Sequence, residues 1–300
     1  MSSHYQICID KLTRCNYVNV DDEDEKLQNL KERLVAPIVW CRLSSGYKIV
    51  DLTSQLYLPT LELMKKYYMC QDVLCKSSGL LNDYMSRRSY YNACLLQMKD
   101  TNSLAVIDEA ENKDELAGIC LLRAVKKVDF GRVFSRTILQ QGHSYNLCTD
   151  IKTALNRQVD IYADYDCEIF LRLYCVCMNP YYRGKGLGFA LMRTTIQVAR
   201  SLKIPIIMGI FDSYQMQQNA LKLGFSVVTE IQYSDWKDDT GNVIFQDIGE
   251  RNETIALMIA KIIPELYPDY ITGNFPEPPK EEPKKGKKDK KGKKDKKGKK

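Results

Sequence analysis

The segment MNPYYRGKGLGFALM places three glycines and two cations between an apolar run and a helix-like pattern. Gly184, Gly186 and Gly188 have no Cβ, so an anion can approach their backbone closely. At the start of a helix, unpaired N–H groups and the helix dipole attract phosphate, and Arg183 and Lys185 add positive charge. The segment therefore predicts an anion site. An ordinary tight turn is the alternative, since short glycine motifs often match by chance.

The common nucleotide motifs fit this loop poorly. The phosphate loop of nucleotide hydrolases ends in Gly-Lys-Ser/Thr, whereas this loop ends in Gly-Phe. A dinucleotide-binding fold carries its glycines after the first strand, whereas here they follow several strand-like segments. Two histidines, His4 and His143, offer little basis for a Ser/His/Asp triad or a histidine-rich metal site, and we expect no metal.

Hydrophobic periodicity predicts the elements that position the loop. Strands are predicted over GYKIVDLTS, SLAVIDEA, ELAGICLLRAVKK, CEIFLRLYCVCMNP, IPIIMGIF and FSVVTEIQYSDW. Helices are predicted over LPTLELMKKYYMCQDVL, SRRSYYNACLLQM, IKTALNRQVDIYADY, GLGFALMRTTIQVARSLK and SYQMQQNALKLG. The pattern indicates one mixed α/β domain, in which an antiparallel meander passes into a β-α-β-α-β ending.

Composition divides the chain into three parts. Residues 1–36 contain the acidic run DDEDEK and are predicted to be a loosely ordered lead-in, and residues 37–273 form the domain. Residues 274–300 are predicted to be a disordered lysine-rich tail. From Lys280 onward, thirteen lysines face four acids, a net charge of +9, so the rest of the chain carries −3 of the total +6. Such a tail binds polyanions weakly or simply keeps the protein in solution.

The chain shows neither a signal-peptide pattern at its start nor an apolar run long enough for a transmembrane helix. Eleven cysteines at irregular spacing are typical of buried thiols in a reducing compartment. We therefore expect a cytoplasmic protein. Its oligomeric state is not predicted.

Arg183-x-x-Gly186-x-Gly188, after a strand that ends in Met-Asn-Pro, resembles the acetyl-CoA signature of the GNAT superfamily of N-acetyltransferases. The later KLGF resembles the superfamily's helix-to-strand junction. GYKI, QDVLCKSSGL and EIQYSDW are similar to the insect arylalkylamine N-acetyltransferase-like branch, and the resemblance extends from about Trp40 to about Trp236. It implies the GNAT fold, a mixed, mostly antiparallel central sheet flanked by helices, with central strands that splay around acetyl-CoA.

The resemblance also implies residue roles in binding the co-substrate. The pyrophosphate of acetyl-CoA would lie on the N–H groups of the loop, and the pantetheine would run beside the preceding strand. The residues so implied are Val176 and Met178 for the pantetheine, and Arg183, Gly184, Lys185, Gly186, Leu187, Gly188 and Phe189 for the pyrophosphate.

Acetyl transfer needs a deprotonated amine, a polarised thioester and a proton for the leaving thiolate. Insect enzymes of this branch carry a glutamate base where this chain has Asp72, so the resemblance implies Asp72 as base. An exposed Asp at a helix end is the alternative. Many superfamily members carry a tyrosine acid at the position of Ala220. Ser213, beside Tyr214, is the replacement that the branch implies, unless it only caps its helix.

The sequence thus predicts an acetyl-CoA-dependent N-acetyltransferase that acts on a small, arylalkylamine-like primary amine by direct transfer. Tyrosines of the first two helices are candidates for the amine pocket: Tyr67, Tyr68, Tyr84, Tyr90 and Tyr91. The altered catalytic positions leave a non-catalytic acyl-CoA-binding protein as the alternative. An interaction protein that acts through its tail and a protein-lysine acetyltransferase rank lower.

Overall fold

The computed structural model describes residues 37–109, 115–129 and 141–262. The predicted lead-in, residues 1–36, and the predicted tail, residues 274–300, lie outside the described residues. The last part of the predicted domain, residues 263–273, also lies outside them.

An open eight-stranded sheet forms the centre of the fold, in the order β1-β2-β3-β4-β5-β6-β8-β7. Neighbouring strands pair antiparallel except β5 and β6, which are parallel. The mostly antiparallel mixed sheet predicted from the sequence is confirmed. The strands are β1 Val39–Leu43, β2 Tyr47–Asp51, β3 Leu104–Asp108, β4 Glu115–Lys126, β5 Ile169–Met178, β6 Ile206–Phe211, β7 Ser226–Gln232 and β8 Thr254–Lys261.

Helices cover both faces of the sheet. The α-helices are α1 Tyr57–Leu63, α2 Val73–Ser77, α3 Tyr84–Met98, α4 His143–Arg157, α5 Ile161–Asp164, α6 Leu187–Ser201 and α7 Tyr214–Lys222. One face packs on α6 and α7, and the other packs on α1 to α4. The apolar face of α6 is buried against the sheet, as at Leu187, Leu191 and Val198. The layers follow from the periodicity, because each helix has one apolar face to bury.

The helix predicted over LPTLELMKKYYMCQDVL is interrupted. After α1 the chain forms a π-helical turn, Met64–Tyr68, in which the Met69 N–H donates to the Met64 carbonyl at 2.9 Å. This wider turn shifts the helical register, and the chain leaves the helix before Asp72 begins α2. The interruption allows Asp72 to lie at a helix start instead of on a helix face.

The structure differs from the sequence prediction at three other elements. The helix predicted over IKTALNRQVDIYADY begins earlier, as α4, and the shorter α5 follows it separately. Strand β8 was not predicted, and it is buried between β6 and β7. Strand β1 was also missed, since it is a short strand at the sheet edge.

Strands β5 and β6 separate after a short paired stretch. They pair from Leu171, opposite Ile207, to Leu173, opposite Gly209, and from there to Met178 β5 has no partner on this side among the described strands. A bulge accompanies the separation: the register with β4 leaves Tyr174 as the extra residue. Bulges bend a strand and increase its twist. The predicted splay of the central strands is therefore present.

Candidate active site

A cavity of about 670 Å³ occupies the gap between β5 and β6. It runs from the glycine loop at one end to Asp72 at the other. Nearly all of the predicted site residues lie in its wall: Asp72, Val176, Met178, Arg183, Gly184, Gly186, Leu187, Gly188, Phe189 and Ser213. The exception is Lys185. Residues distant in the chain thus converge on one elongated space.

The glycine loop connects β5 to α6 through two left-handed residues. Gly184 has φ +76° and Gly186 has φ +75°, and an added Cβ at either would meet no atom within 4 Å. These glycines are therefore required by backbone conformation and not by crowding. The first N–H groups of α6 lack partners inside the helix, and Leu187 to Phe189 line the cavity. Such a helix start offers N–H donors of the kind that bind anions in proteins.

The two cations of the loop differ in position. Arg183 lines the cavity, and its guanidinium donates to the Met178 carbonyl at 3.3 Å. The Lys185 ammonium instead donates to the Tyr47 hydroxyl at 2.8 Å and lies 5.2 Å from the ring centres of both Tyr181 and Tyr182. The structure does not bring the Lys185 side chain to the cavity.

The unpaired edge of β5 forms one wall. Val176 and Met178 line the cavity, beyond the last residue of β5 that pairs with β6. Gly118 of β4 gives Met178 its room: a Cβ there would lie 2.2 Å from the Met178 sulfur. Within residues 37–109, 115–129 and 141–262 no strand pairs with this edge, so its alternate backbone groups can bond the amides of an extended ligand.

Asp72 caps α2 and also faces the cavity. Its carboxylate accepts the Cys75 N–H at 2.9 Å. Protein atoms surround the carboxyl group, while the Asp72 residue as a whole is half-buried. Burial would raise the pKa of Asp72. Three effects outweigh burial and lower the pKa: a hydrogen bond with Asp212, the charge of the Lys152 ammonium, and the hydrogen bond from the Cys75 N–H. Asp72 is therefore ionised near neutral pH.

Asp212 lies beside Asp72, although sequence reasoning did not select it. It is the first residue after β6 and lines the same cavity. Burial and the Asp72 charge raise the pKa of Asp212 well above its ordinary range. Burial would lower the pKa of Lys152, on α4, but both aspartates raise it above its ordinary value. Asp72 is thus the more acidic of the two carboxyls and Asp212 the less acidic, and Lys152 is close enough to influence both.

The remaining predicted residues divide between the cavity and the rest of the fold. Ser213 occupies the position before α7, but among the described residues its hydroxyl makes no capping hydrogen bond to that helix. It lines the cavity, whereas Tyr214 is 43% exposed and lies outside its wall. Ala220 is fully buried in the core and carries no hydroxyl.

Two of the five candidate tyrosines line the cavity, Tyr67 and Tyr68. Tyr84 is exposed, while Tyr90 packs behind Tyr68 with ring centres 6.2 Å apart. Tyr174, the bulged residue of β5, adds a third aromatic wall. The end of the cavity near Asp72 is therefore aromatic and acidic.

The thiols of β5 face buried surroundings. Burial raises the pKa of Cys175 well above its ordinary value and that of Cys177 to about 12. Neither is a thiolate near neutral pH; both pack in the apolar cluster beneath α1 and α3 and also border the cavity. All nine cysteines of the described ranges are free thiols.

The described part of the chain contains neither a cluster of metal-ligand side chains nor a membrane-spanning helix. No three His, Cys, Asp or Glu side chains of these residues come together as a potential metal site. None of the helices in residues 37–109, 115–129 and 141–262 is long and apolar enough to cross a membrane.

The sheet order, the splayed central strands and the glycine loop at a helix start define an N-acetyltransferase fold. Solved structures with this architecture support the assignment. Arylalkylamine N-acetyltransferase 2 from Aedes aegypti superimposes with a TM-score of 0.67 at 19% identity, over 73% of this chain and 100% of its own. The putative arylalkylamine N-acetyltransferase 7 of the same mosquito gives 0.65 at 18% identity, over 76% of this chain and 96% of its own.

A Drosophila melanogaster polyamine N-acetyltransferase that forms N-acetylagmatine gives a TM-score of 0.62 at 12% identity, over 72% of this chain and 99% of its own. No match was found among curated protein sequences. The model of the acetyltransferase (GNAT) family matches residues 67–225, more than half of the chain. The chain therefore belongs to the GNAT acetyltransferase family.

Proposed function

We propose that this protein is an acetyl-CoA-dependent N-acetyltransferase that acetylates a small, arylalkylamine-like primary amine by direct transfer. One observation carries the proposal: a single cavity joins the anion-binding loop to a carboxyl pair with aromatic walls. Family membership and the structural likeness to amine acetyltransferases support it.

The co-substrate fits the chain's own groups. Gly184, Gly186 and the first turn of α6 would hold the pyrophosphate through N–H groups, and Arg183 would add charge at the rim. The free edge at Val176 and Met178 would pair with the pantetheine amides. Acetyl-CoA supplies an acetyl group on a thioester, and its thiolate is the leaving group.

Asp72 serves as the base in this proposal. Its ionised carboxylate accepts a proton from the amine, directly or through one water. The Ser213 hydroxyl, free of a capping bond to α7, would hydrogen-bond the departing sulfur. Since Cys175 and Cys177 are not thiolates, an acyl-enzyme on either is disfavoured and direct transfer is favoured.

The acceptor would lie at the Asp72 end of the cavity. Tyr67, Tyr68 and Tyr174 offer ring faces to an aryl group or to an ammonium group. The carboxylate attracts the cationic amine. Together these groups suit a compact aromatic amine, which is the substrate class we propose.

Asp72→Asn tests the base, because asparagine also caps helices well and should preserve α2. We expect kcat for thiol release from acetyl-CoA, with a panel of arylalkylamines and polyamines, to fall about 100-fold. The matched control is Asp235→Asn at an exposed aspartate, which should leave kcat unchanged. Full activity of Asp72→Asn would exclude Asp72 as the base. Intersecting initial-velocity lines would support direct transfer.

A non-catalytic acyl-CoA-binding protein is the second candidate, favoured by the absence of a hydroxyl at Ala220. It predicts that acetyl-CoA raises the melting temperature while no amine causes thiol release. We also propose that the lysine-rich tail binds polyanions weakly, which binding lost at high salt and on deletion of residues 280–300 would support. The abundant free cysteines favour a reducing, cytoplasmic setting.

A further inference from the structure

We propose that Asp212 is the general acid that protonates the leaving thiolate, and that it works as one unit with Asp72. This inference rests on the proposed acetyltransferase function and adds a catalytic residue to it. It also identifies a proton source in a chain that lacks the tyrosine hydroxyl at Ala220.

The position of Asp212 suits the role. Strand β6 last pairs with β5 at Gly209, and Asp212 follows three residues later, in the wall of the gap where the strands have separated. Ser213, its neighbour, lines the same gap. The buried Tyr233 hydroxyl donates to the Asp212 carbonyl at 2.8 Å, which fixes the backbone at this point.

The proton of the pair belongs on Asp212 because the two carboxyls have different partners. Asp72 accepts a backbone N–H from Cys75 at 2.9 Å, which favours its charged form. Asp212 faces that charge across a shared hydrogen bond. Two adjacent carboxylates do not both ionise readily in a buried site. With the Lys152 ammonium nearby, one proton on the pair makes the cluster neutral.

Titratable groups from several elements face this pair. They are Tyr68 and Cys75 around Asp72, Tyr90 on α3, Cys148 and Lys152 on α4, Cys175 and Cys177 on β5, and Tyr233 after β7. Burial raises the pKa of each of the three tyrosines. The tyrosines are therefore neutral near pH 7, and Lys152 is the cation that balances the pair.

The chemistry balances around one shared proton. The substrate ammonium first loses a proton to solvent. Its nitrogen then forms a bond to the thioester carbon, and the C–S bond breaks with its electron pair on sulfur. Asp72 takes the second nitrogen proton while Asp212 gives its proton to the sulfur. The proton on Asp72 then crosses the hydrogen bond to Asp212, so the pair returns to its starting state.

Asp212→Asn tests the proposal, because the amide is isosteric but cannot release a proton. We expect kcat to fall about 100-fold and the descending, high-pH limb of the kcat–pH profile to disappear. Asp212→Glu keeps a carboxyl and should retain that limb at a reduced rate. Ser213→Ala should also retain it, since the hydroxyl only contacts the sulfur.

A kcat of Asp212→Asn within threefold of wild type, or an unchanged descending limb, would overturn the inference while leaving the proposed function intact. Failure of the wild-type protein to release thiol with any amine would overturn both. A thermal melt of each variant separates loss of chemistry from loss of fold.

A second measurement does not depend on turnover. Because its pKa is raised, Asp212 keeps its proton in the folded state at pH values where the unfolded chain has lost it. Its contribution to stability therefore declines as pH rises from the ordinary aspartate range toward the raised pKa. Asp212→Asn removes this decline, so its melting temperature relative to wild type should increase with pH. A relative melting temperature that falls with pH would place the proton elsewhere and overturn the inference.

Discussion

The two ends of the cavity are built in different ways. The loop end consists of consecutive residues, Arg183 to Phe189, and presents mainly backbone N–H groups to a partly exposed rim. The carboxyl end brings together Asp72, Lys152 and Asp212, which lie far apart in the chain and in a more enclosed setting. One end depends on backbone conformation and the other depends on side-chain chemistry.

This difference determines which substitutions should matter at each end. At the loop, a side chain can change with little effect unless the backbone must leave its left-handed conformation. At the carboxyl end, each ionisable group sets the protonation of its neighbours, so a single change is felt by the whole cluster. Substitutions can therefore test separately whether the loop end depends on backbone conformation and whether the carboxyl end depends on side-chain chemistry.

The largest effect is expected for Gly186→Val. A β-branched residue strongly disfavours φ +75°, so the loop must rearrange and lose N–H contacts to the pyrophosphate. Loss of about two hydrogen bonds to a charged group, at roughly 1.5 kcal/mol each, raises the Kd of acetyl-CoA on the order of 100-fold. Isothermal titration calorimetry measures this directly.

Gly46→Val is the matched control for this experiment. Gly46 has φ +84° in the turn between β1 and β2, and an added Cβ there also meets no atom within 4 Å. The backbone strain is similar, so the melting temperature should fall comparably, but the Kd of acetyl-CoA should not change. Equal Kd changes in both variants would mean that the loop acts only through global stability.

An intermediate effect is expected at the carboxyl end for Lys152→Met. The Lys152 ammonium lowers the pKa of Asp72, so its removal raises that pKa. Asp72 must be ionised to act as base, and the ascending limb of the kcat–pH profile should therefore move to higher pH. The exposed Lys76, paired with Asp247, offers Lys76→Met as a control that should not shift the profile. If the ascending limb of Lys152→Met stayed at the wild-type pH, Lys152 would not influence the pKa of Asp72.

The two ends of the cavity could not be predicted equally well from the sequence, because the loop is a local pattern and the carboxyl end depends on tertiary contacts. The loop is a local pattern, so glycine spacing and the following helix were enough to predict it. Asp72 was selected only through the family resemblance, because nothing local predicts the π-helical turn that directs it into the cavity. Asp212 could have been noticed as an acid directly after the buried strand IPIIMGIF. Lys152 could not, because its partners come from other elements.

Some strands of the fold were likewise predictable from local sequence patterns, and others were not. Strands with clear alternation or turn signals were predicted, as was the β-α-β order in which a helix separates β5 from β6; the structure adds their parallel pairing. Strand β8 was missed although its sequence is as apolar as the predicted strand IPIIMGIF, because periodicity alone does not distinguish a buried strand from a buried helix segment. Its insertion between β6 and β7 is a long-range pairing that short-range patterns do not encode.

The smallest effect is expected for Lys185→Gln, which compares the two cations of the loop, Lys185 and Arg183. The Lys185 ammonium is held by the Tyr47 hydroxyl and the rings of Tyr181 and Tyr182, away from the cavity. An exposed cation at this distance contributes little, so the KM for acetyl-CoA should change less than about threefold. Arg183→Gln, at a residue in the cavity wall, should raise the KM more. If Lys185→Gln instead had the larger effect, side-chain charge and not backbone geometry would dominate the loop, and the contrast between the two ends would fail.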